Sequence, residues 1–301
     1  MPVASPHART PEEPETPVKT LRTLITTVLM LALSVLGTGF ASAADGPGPR
    51  CASSHRTTTT STASPVTVWL AGDSTMANPS GRCPVGWGSQ FGTLFDGEVT
   101  VRNQAVAGRS IQTWLYESNV SGTMGSDGEC VLNSTSYSVR WEAMLDATTG
   151  MKAGDYLFIQ FGINDSSRTC PRHVGTARYQ QLLTTMARAA LARGAHPVLL
   201  TPVAAITCSG STATKNRGFV TETYSAGTAT GAPVVDLQSL SVSLYNSLRF
   251  CPDNGDYGSG PVGAFFCEDH THFETYGAQR VAGLVAADVR RQNLPLATHL
   301  K

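Results

Sequence analysis

From residue 66 onward the chain repeats one texture: a short apolar run of strand length, then a stretch with helical periodicity. The runs cover residues 66–71, 99–103, 156–161, 197–201 and 233–237. Each is rich in Val, Ile, Leu or Phe, the composition of parallel strands buried on both faces. Between them, Trp87, Phe91, Leu94 and Phe95 fall on one helical face. Tyr179, Leu182, Leu183, Met186 and Ala190 fall on a second, and Val281, Leu284, Val285 and Val289 on a third. Gly194 stands where a glycine would close the second helix. Strands alternating with amphipathic helices predict an α/β fold, a three-layer αβα sandwich around a parallel sheet. Ligands of such sheets bind beyond the carboxyl ends of the strands. Residues that directly follow the runs are therefore the first candidates for chemistry.

The region before residue 66 has a different character. Lys19 and Arg22 precede an apolar run over 24–36, and Ala41-Ser42-Ala43 offers a small-x-small cleavage site. That order predicts a signal peptide over 1–43, cleaved after Ala43, and a secreted protein. Thr26, Thr27 and Ser34 dilute the run, which is also too short for a spanning helix, so no stable membrane insertion is expected after processing. Residues 44–65 are mostly Gly, Pro, Ser, Thr and Ala, a composition that buries too little apolar surface to offset its ordering entropy. They read as a flexible linker, leaving 66–294 as one domain, expected to work as a monomer. Lys plus Arg and Asp plus Glu number 22 each, so the formal net charge is zero. Such a balance offers no footprint for nucleic acid or an anionic membrane.

All seven cysteines follow the expected cleavage site. In an exported chain they are expected to form disulfides, and no Cys-x-x-Cys pair suggests a metal instead. Six stand in stretches that read as loops. Their expected adjacency gives Cys83–Cys130, Cys170–Cys208 and Cys251–Cys267, the last closing the stretch just before residue 269. Cys51 is left over in the linker.

Three strand ends carry candidate chemistry. The first run leads into Gly72-Asp73-Ser74-Thr75-Met76, which presents a serine at the binding edge of the sheet. The same residues would also serve as a helix cap. The third run ends in Phe161-Gly162-Ile163-Asn164-Asp165. Asn164 offers an amide donor for a developing oxyanion, and Asp165 suits a turn or a cap. Near the end, Asp269-His270-Thr271-His272 places a carboxylate three residues before a histidine, across one tight turn. That carboxylate can hold one ring nitrogen while the other acts as a base. A metal on His270 and His272 would have two ligands where catalytic zinc asks for three. No metal or cofactor is expected.

Taken together these motifs resemble the SGNH (GDSL-like) hydrolases, and within them the rhamnogalacturonan acetylesterase group. The resemblance also rests on Gly86-Trp87-Gly88, on Ala105-Val106-Ala107-Gly108-Arg109-Ser110, and on Ala153-Gly154-Asp155-Tyr156 and Thr201-Pro202-Val203. It implies a flavodoxin-like strand order, 2-1-3-4-5. It implies Ser74 as nucleophile, His272 as base and Asp269 as its partner. The oxyanion hole would be made by the N–H groups of Ser74 and Gly108 and the Asn164 amide. Arg109 and Asp73 are candidates for binding substrate, which the resemblance implies is an acylated carbohydrate. Two departures bear on that substrate. Ile163 stands where many relatives have histidine, and Ala204 and Ala205 stand where pectin-active relatives often carry arginines. A guanidinium pairs bidentately with an acidic sugar, so their loss weakens a galacturonate assignment. Arg109, Arg168 and Arg172 remain as substitutes. The alternatives are a broad esterase or lipase on longer acyl chains, a sugar-binding module that has lost catalysis, and a surface adhesion protein on a Thr-rich stalk.

Overall fold

The computed structural model describes residues 65–301; the expected signal peptide, almost all of the linker and Cys51 lie outside the described residues. Five strands form a parallel sheet: β1 Val66–Gly72, β2 Val99–Asn103, β3 Tyr156–Gln160, β4 His196–Leu200 and β5 Val234–Val235. Their spatial order is 2-1-3-4-5. The last strand is shorter than the apolar run 233–237, because Asp236 turns to cap a helix by accepting a hydrogen bond from the Ser239 N–H at 3.1 Å.

The strands are apolar throughout because both faces are covered. Val68, Leu70, Phe158, Val198 and Leu200 point to one face. There they meet α4 Leu237–Ser247 and α5 Thr275–Arg291, with Phe91 of a short helix at Gly88–Phe91. Trp69, Ala71, Leu157, Ile159 and Leu199 point to the other face. They pack under α1 Ile111–Tyr116, α2 Thr176–Ala192 and α3 Val220–Thr230. This alternation along each strand makes three layers with two cores. Trp87, Phe91 and Phe95 are buried, yet the segment folds as two short helical pieces, Gly88–Phe91 and Gly92–Leu94, rather than one continuous helix.

The compact unit does not stop at residue 294. A 3₁₀ turn at Pro295–His299 buries Leu296, and the Lys301 N–H donates to the Leu94 carbonyl at 2.9 Å. The helical period that marks α5 ends at Arg291, so the tail gave no signal of its packing.

The disulfides pair differently from the expectation. None of Cys83–Cys130, Cys170–Cys208 and Cys251–Cys267 forms. The bonds are Cys83–Cys267, Cys130–Cys170 and Cys208–Cys251, with Cα separations of 6.1, 5.5 and 5.5 Å. Two antiparallel hairpins explain most of the exchange. One, Val120–Met124 with Cys130–Leu132, lies against the loop after β3, where Glu129 accepts from the Gly175 N–H at 3.0 Å. The other, Cys208–Ser209 with Thr212–Ala213, is tied to the end of α4, where Asn246 Oδ1 accepts from the Ala213 N–H at 2.7 Å. Cys83 reaches Cys267 because the Val85 N–H donates to the Phe273 carbonyl at 2.9 Å. Among the described residues no helix is long and apolar enough to cross a membrane.

Candidate active site

β1 ends at Gly72, and Asp73 begins a turn in which the N–H groups of Met76 and Ala77 donate to its carbonyl, at 3.1 and 3.0 Å. The Asp73 side chain completes the turn: Oδ1 accepts from the Thr75 N–H at 2.9 Å and from the Thr75 hydroxyl at 2.8 Å. Asp73 is wholly buried, so it cannot touch a substrate in the cleft, against the sequence expectation. Its work is to shape the turn that presents Ser74. Below it, Gln160 at the end of β3 donates to Thr75 Oγ1 at 2.7 Å and accepts from Trp87 Nε1 at 2.7 Å. The signal for this support was present: one glutamine in an otherwise apolar strand.

Ser74 Oγ lies 2.9 Å from His272 Nε2, across 198 residues of sequence. His272 Nδ1 lies 2.7 Å from Asp269 Oδ2. Asp269 Oδ1 accepts from the N–H groups of Thr271 and His272, both at 2.7 Å, which fixes the carboxylate in its turn. Partial burial pushes the Asp269 pKa up, but the hydrogen bonds from His272 and Thr271 outweigh it and hold the group below its ordinary value. It is therefore ionised wherever a histidine base can work. A serine hydroxyl bonded to an imidazole that is itself held by a carboxylate can lose its proton while attacking a carbonyl.

The stretch after β2 runs alongside the end of β1, with the N–H of Val106 donating to the Gly72 carbonyl at 2.9 Å. Gly108 has φ +74°, a left-handed conformation suited to glycine. Asn164 lies next to this loop, its Nδ2 donating to the Arg109 carbonyl at 3.1 Å and its Oδ1 accepting from Arg172 Nη1 at 3.4 Å. These contacts orient the amide and leave one of its two hydrogens free to donate.

Arg217 escaped the sequence reading. It is half-buried behind the Asp269–His272 turn, and its Nη2 donates to Thr271 Oγ1 at 2.9 Å. Burial lowers its pKa, while the carboxylates of Asp73 and Asp269 pull the other way. No local motif marks Arg217; only the fold brings it to residue 271. His270, by contrast, is exposed and meets the Thr271 hydroxyl, not His272. A cleft of about 420 Å³ opens on the histidine side, lined by Arg82, Glu268, Asp269, His272 and Glu274 beside the Cys83–Cys267 bond. Cys83, Cys267 and Glu274 also form a potential metal-ligand cluster, but the two sulfurs are joined to each other.

A sequence model for GDSL-like lipase/acylhydrolase proteins matches residues 68–285. The chain belongs to that family. It is a carboxylic ester hydrolase. Among its relatives, the rhamnogalacturonan acetylesterase RhgT of Bacillus subtilis is 32% identical over 250 residues, covering 78% of this chain and 94% of the relative. A probable rhamnogalacturonan acetylesterase, YesY, of the same organism is 28% identical over 239 residues, covering 76% and 94%. The crystal structure of Bacillus subtilis protein YxiM superimposes with a TM-score of 0.59 at 25% identity, covering 76% of this chain and 57% of that one. The parallel five-strand sheet flanked by helices is consistent with the α/β fold of this family.

Proposed function

We propose that this chain is a secreted serine esterase that removes acetyl groups from an extracellular carbohydrate such as pectic rhamnogalacturonan. The observation that carries the reading is the continuous hydrogen-bonded series Ser74–His272–Asp269 at 2.9 and 2.7 Å, at the edge of the sheet where the family fold binds ligands.

Ser74 Oγ attacks the ester carbonyl carbon as its proton passes to His272 Nε2. The carbonyl oxygen becomes an oxyanion held by the N–H groups of Ser74 and Gly108 and by the free hydrogen of the Asn164 amide. Collapse returns the His272 proton to the departing sugar oxygen and leaves an acyl-serine. Water, deprotonated by His272, then attacks that ester and releases the acid, restoring Ser74. Asp269 holds the ring in the useful tautomer and offsets the positive charge it acquires.

The acetyl and carbohydrate parts of the proposal draw on the names of the two Bacillus relatives and on the cleft. Arg82, Glu268 and Glu274 give it a charged lining that suits the hydroxyls of a sugar better than a long acyl chain. Arg109 remains the proposed substrate contact. Export is supported by the sequence order over 19–43, which proposes cleavage after Ala43, and by three disulfides. The test is acetate release from acetylated pectic polymer and acetylated xylan, beside p-nitrophenyl esters of rising chain length. Preference for an octanoyl over an acetyl ester, with no acetate from either polymer, would reject it.

A further inference from the structure

Asp165 directly follows Asn164, and its sequence position suggested an ordinary turn or cap. Its surroundings are not those of a surface cap. The side chain is wholly buried. Oδ1 accepts from the Ile111 N–H at 2.8 Å, and Oδ2 accepts from the Gly162 N–H at 2.8 Å. Its own carbonyl accepts from the Val174 N–H at 3.1 Å. Ile111 stands three residues after Gly108, and Gly162 stands two residues before Asn164. One carboxylate thus joins the two loops that supply the proposed oxyanion donors.

We infer that Asp165 is the positioning residue of the oxyanion hole, holding the Gly108 loop and the Asn164 turn at a fixed separation. The inference rests on the proposed roles of Gly108 and Asn164. Two bridges cross between these loops. The outer one, from Asn164 Nδ2 to the Arg109 carbonyl at 3.1 Å, involves the amide that must also answer the substrate. The inner one, through Asp165, has no second duty and is sealed from water, so it keeps the register while the outer contacts adjust. The residue type follows from the donors. Two N–H groups on separate loops need two acceptor atoms on one side chain, and a carboxyl group has two oxygens for them where an amide turns an NH₂ toward one. Gly162 adapts to this role with φ +112°, and a Cβ there would stand 2.5 Å from Pro202 Cγ.

The location is costly for a residue with a merely structural purpose. Buried carboxylates lose hydration, and the neighbouring groups are the Asp73 carboxylate and the Tyr179 phenol rather than a cation. Burial, reinforced by Asp73, pushes the Asp165 pKa up to about 7 in spite of its two N–H donors.

The experiment is a double-mutant cycle of Asn164→Ala and Asp165→Asn on a soluble acetyl ester. It is paired with the rate at which Ser74 displaces p-nitrophenolate from a p-nitrophenyl methylphosphonate, whose P=O oxygen takes the place of the carbonyl oxygen. Asparagine at 165 turns an N–H donor toward one of the two backbone donors. Asp165→Asn is expected to lower kcat roughly 10–100-fold with KM within about twofold, and to slow phosphonylation by a similar factor. In the Asn164→Ala background the same substitution costs clearly less, because part of what it positions is gone. Full additivity, or an unchanged kcat in folded Asp165→Asn, overturns the inference. Ile111→Pro provides a route that does not depend on that variant folding. It deletes one of the two donors at the first helical position, where proline is tolerated. A folded Ile111→Pro with wild-type kcat also overturns the inference. Wild-type kcat in Asn164→Ala would instead reject the oxyanion reading itself.

Discussion

Asp269 and Asp165 both stand in loops at the carboxyl edge of the sheet, each close to a proposed catalytic residue, and their environments drive them in opposite directions. Asp269 has a side chain 44% exposed and takes hydrogen bonds from His272 and Thr271, which hold it ionised. Asp165 also takes two short bonds, yet complete burial beside Asp73 raises it to about 7. The Asp269 carboxylate takes three hydrogen bonds and the Asp165 carboxylate two. Access to water widens that difference: the hydrogen bonds outweigh desolvation at half-exposed Asp269 but not at Asp165, where burial is complete and Asp73 adds to it. One carboxylate is equipped to carry charge opposite an imidazolium, the other to hold two pieces of backbone together.

The sharpest test of the exposed side is removal of the atom it serves. Ser74→Ala is expected to lower kcat/KM by roughly 10⁴–10⁶ while circular dichroism and the thermal midpoint stay near wild type. Substantial esterase activity in that folded variant would break the series at its start. Asp269→Asn comes next, with a loss of about 10³–10⁴ in kcat, since the neutral amide can neither fix the tautomer nor balance the imidazolium. Asn164→Ala should lower kcat by about 10²–10³ with little change in KM, because the lost hydrogen bond matters chiefly in the transition state.

The pH dependence of stability separates the two carboxylates without reference to rate. Asp269 is held below its ordinary value of 3.8, so its contribution is present above that pH and lost as the pH falls toward its folded-state pKa. Asp165 behaves in the reverse sense. Its pKa rises from 3.8 to about 7 on folding, so its contribution is full below about 3.8 and lost as the pH rises through about 7. Chemical denaturation of wild type and Asp165→Asn between pH 4 and 8 measures the difference. The wild-type curve should decline more steeply with rising pH. Parallel curves would show that Asp165 does not titrate differently on folding.

Much of this was legible in the sequence, for local reasons. Strands β1 to β4 and helices α2 and α5 declared themselves through apolar runs and 3.6-residue periods. Gly72-Asp73-Ser74 and Asp269-x-x-His272 were readable because each motif is completed within a few residues. The parts that were missed depend on neighbours far along the chain. Arg217 meets Thr271 only through the fold, and Asp165 takes its two donors from the first residue of α1 and from Gly162 just beyond β3. The cysteine pairing failed for the same reason. Two small hairpins with weak alternation redirected Cys130 to Cys170 and Cys208 to Cys251, and Cys83 then met Cys267.

The smallest expected effect concerns that last bond, which anchors the loop of Asp269 without touching either reacting atom. Cys83→Ser with Cys267→Ser should cost about 2–4 kcal/mol of stability and lower kcat less than Asn164→Ala does. An unchanged thermal midpoint would show that the loop is held by its backbone bonds alone.

The wide separation between Ser74 and His272 also sets when the protein can act during its synthesis. The hydroxyl sits in the turn just after the first strand, while the imidazole proposed to take its proton arrives 198 residues later, just before α5. A ribosome stalled between residues 74 and 269 leaves a chain that has Ser74 but neither Asp269 nor His272, the groups proposed to activate it. On the proposed roles, such interrupted products are expected to be silent toward esters. Activity is then expected only once the segment carrying Asp269 and His272 has docked beside the turn that follows the first strand, making turnover a report of that docking.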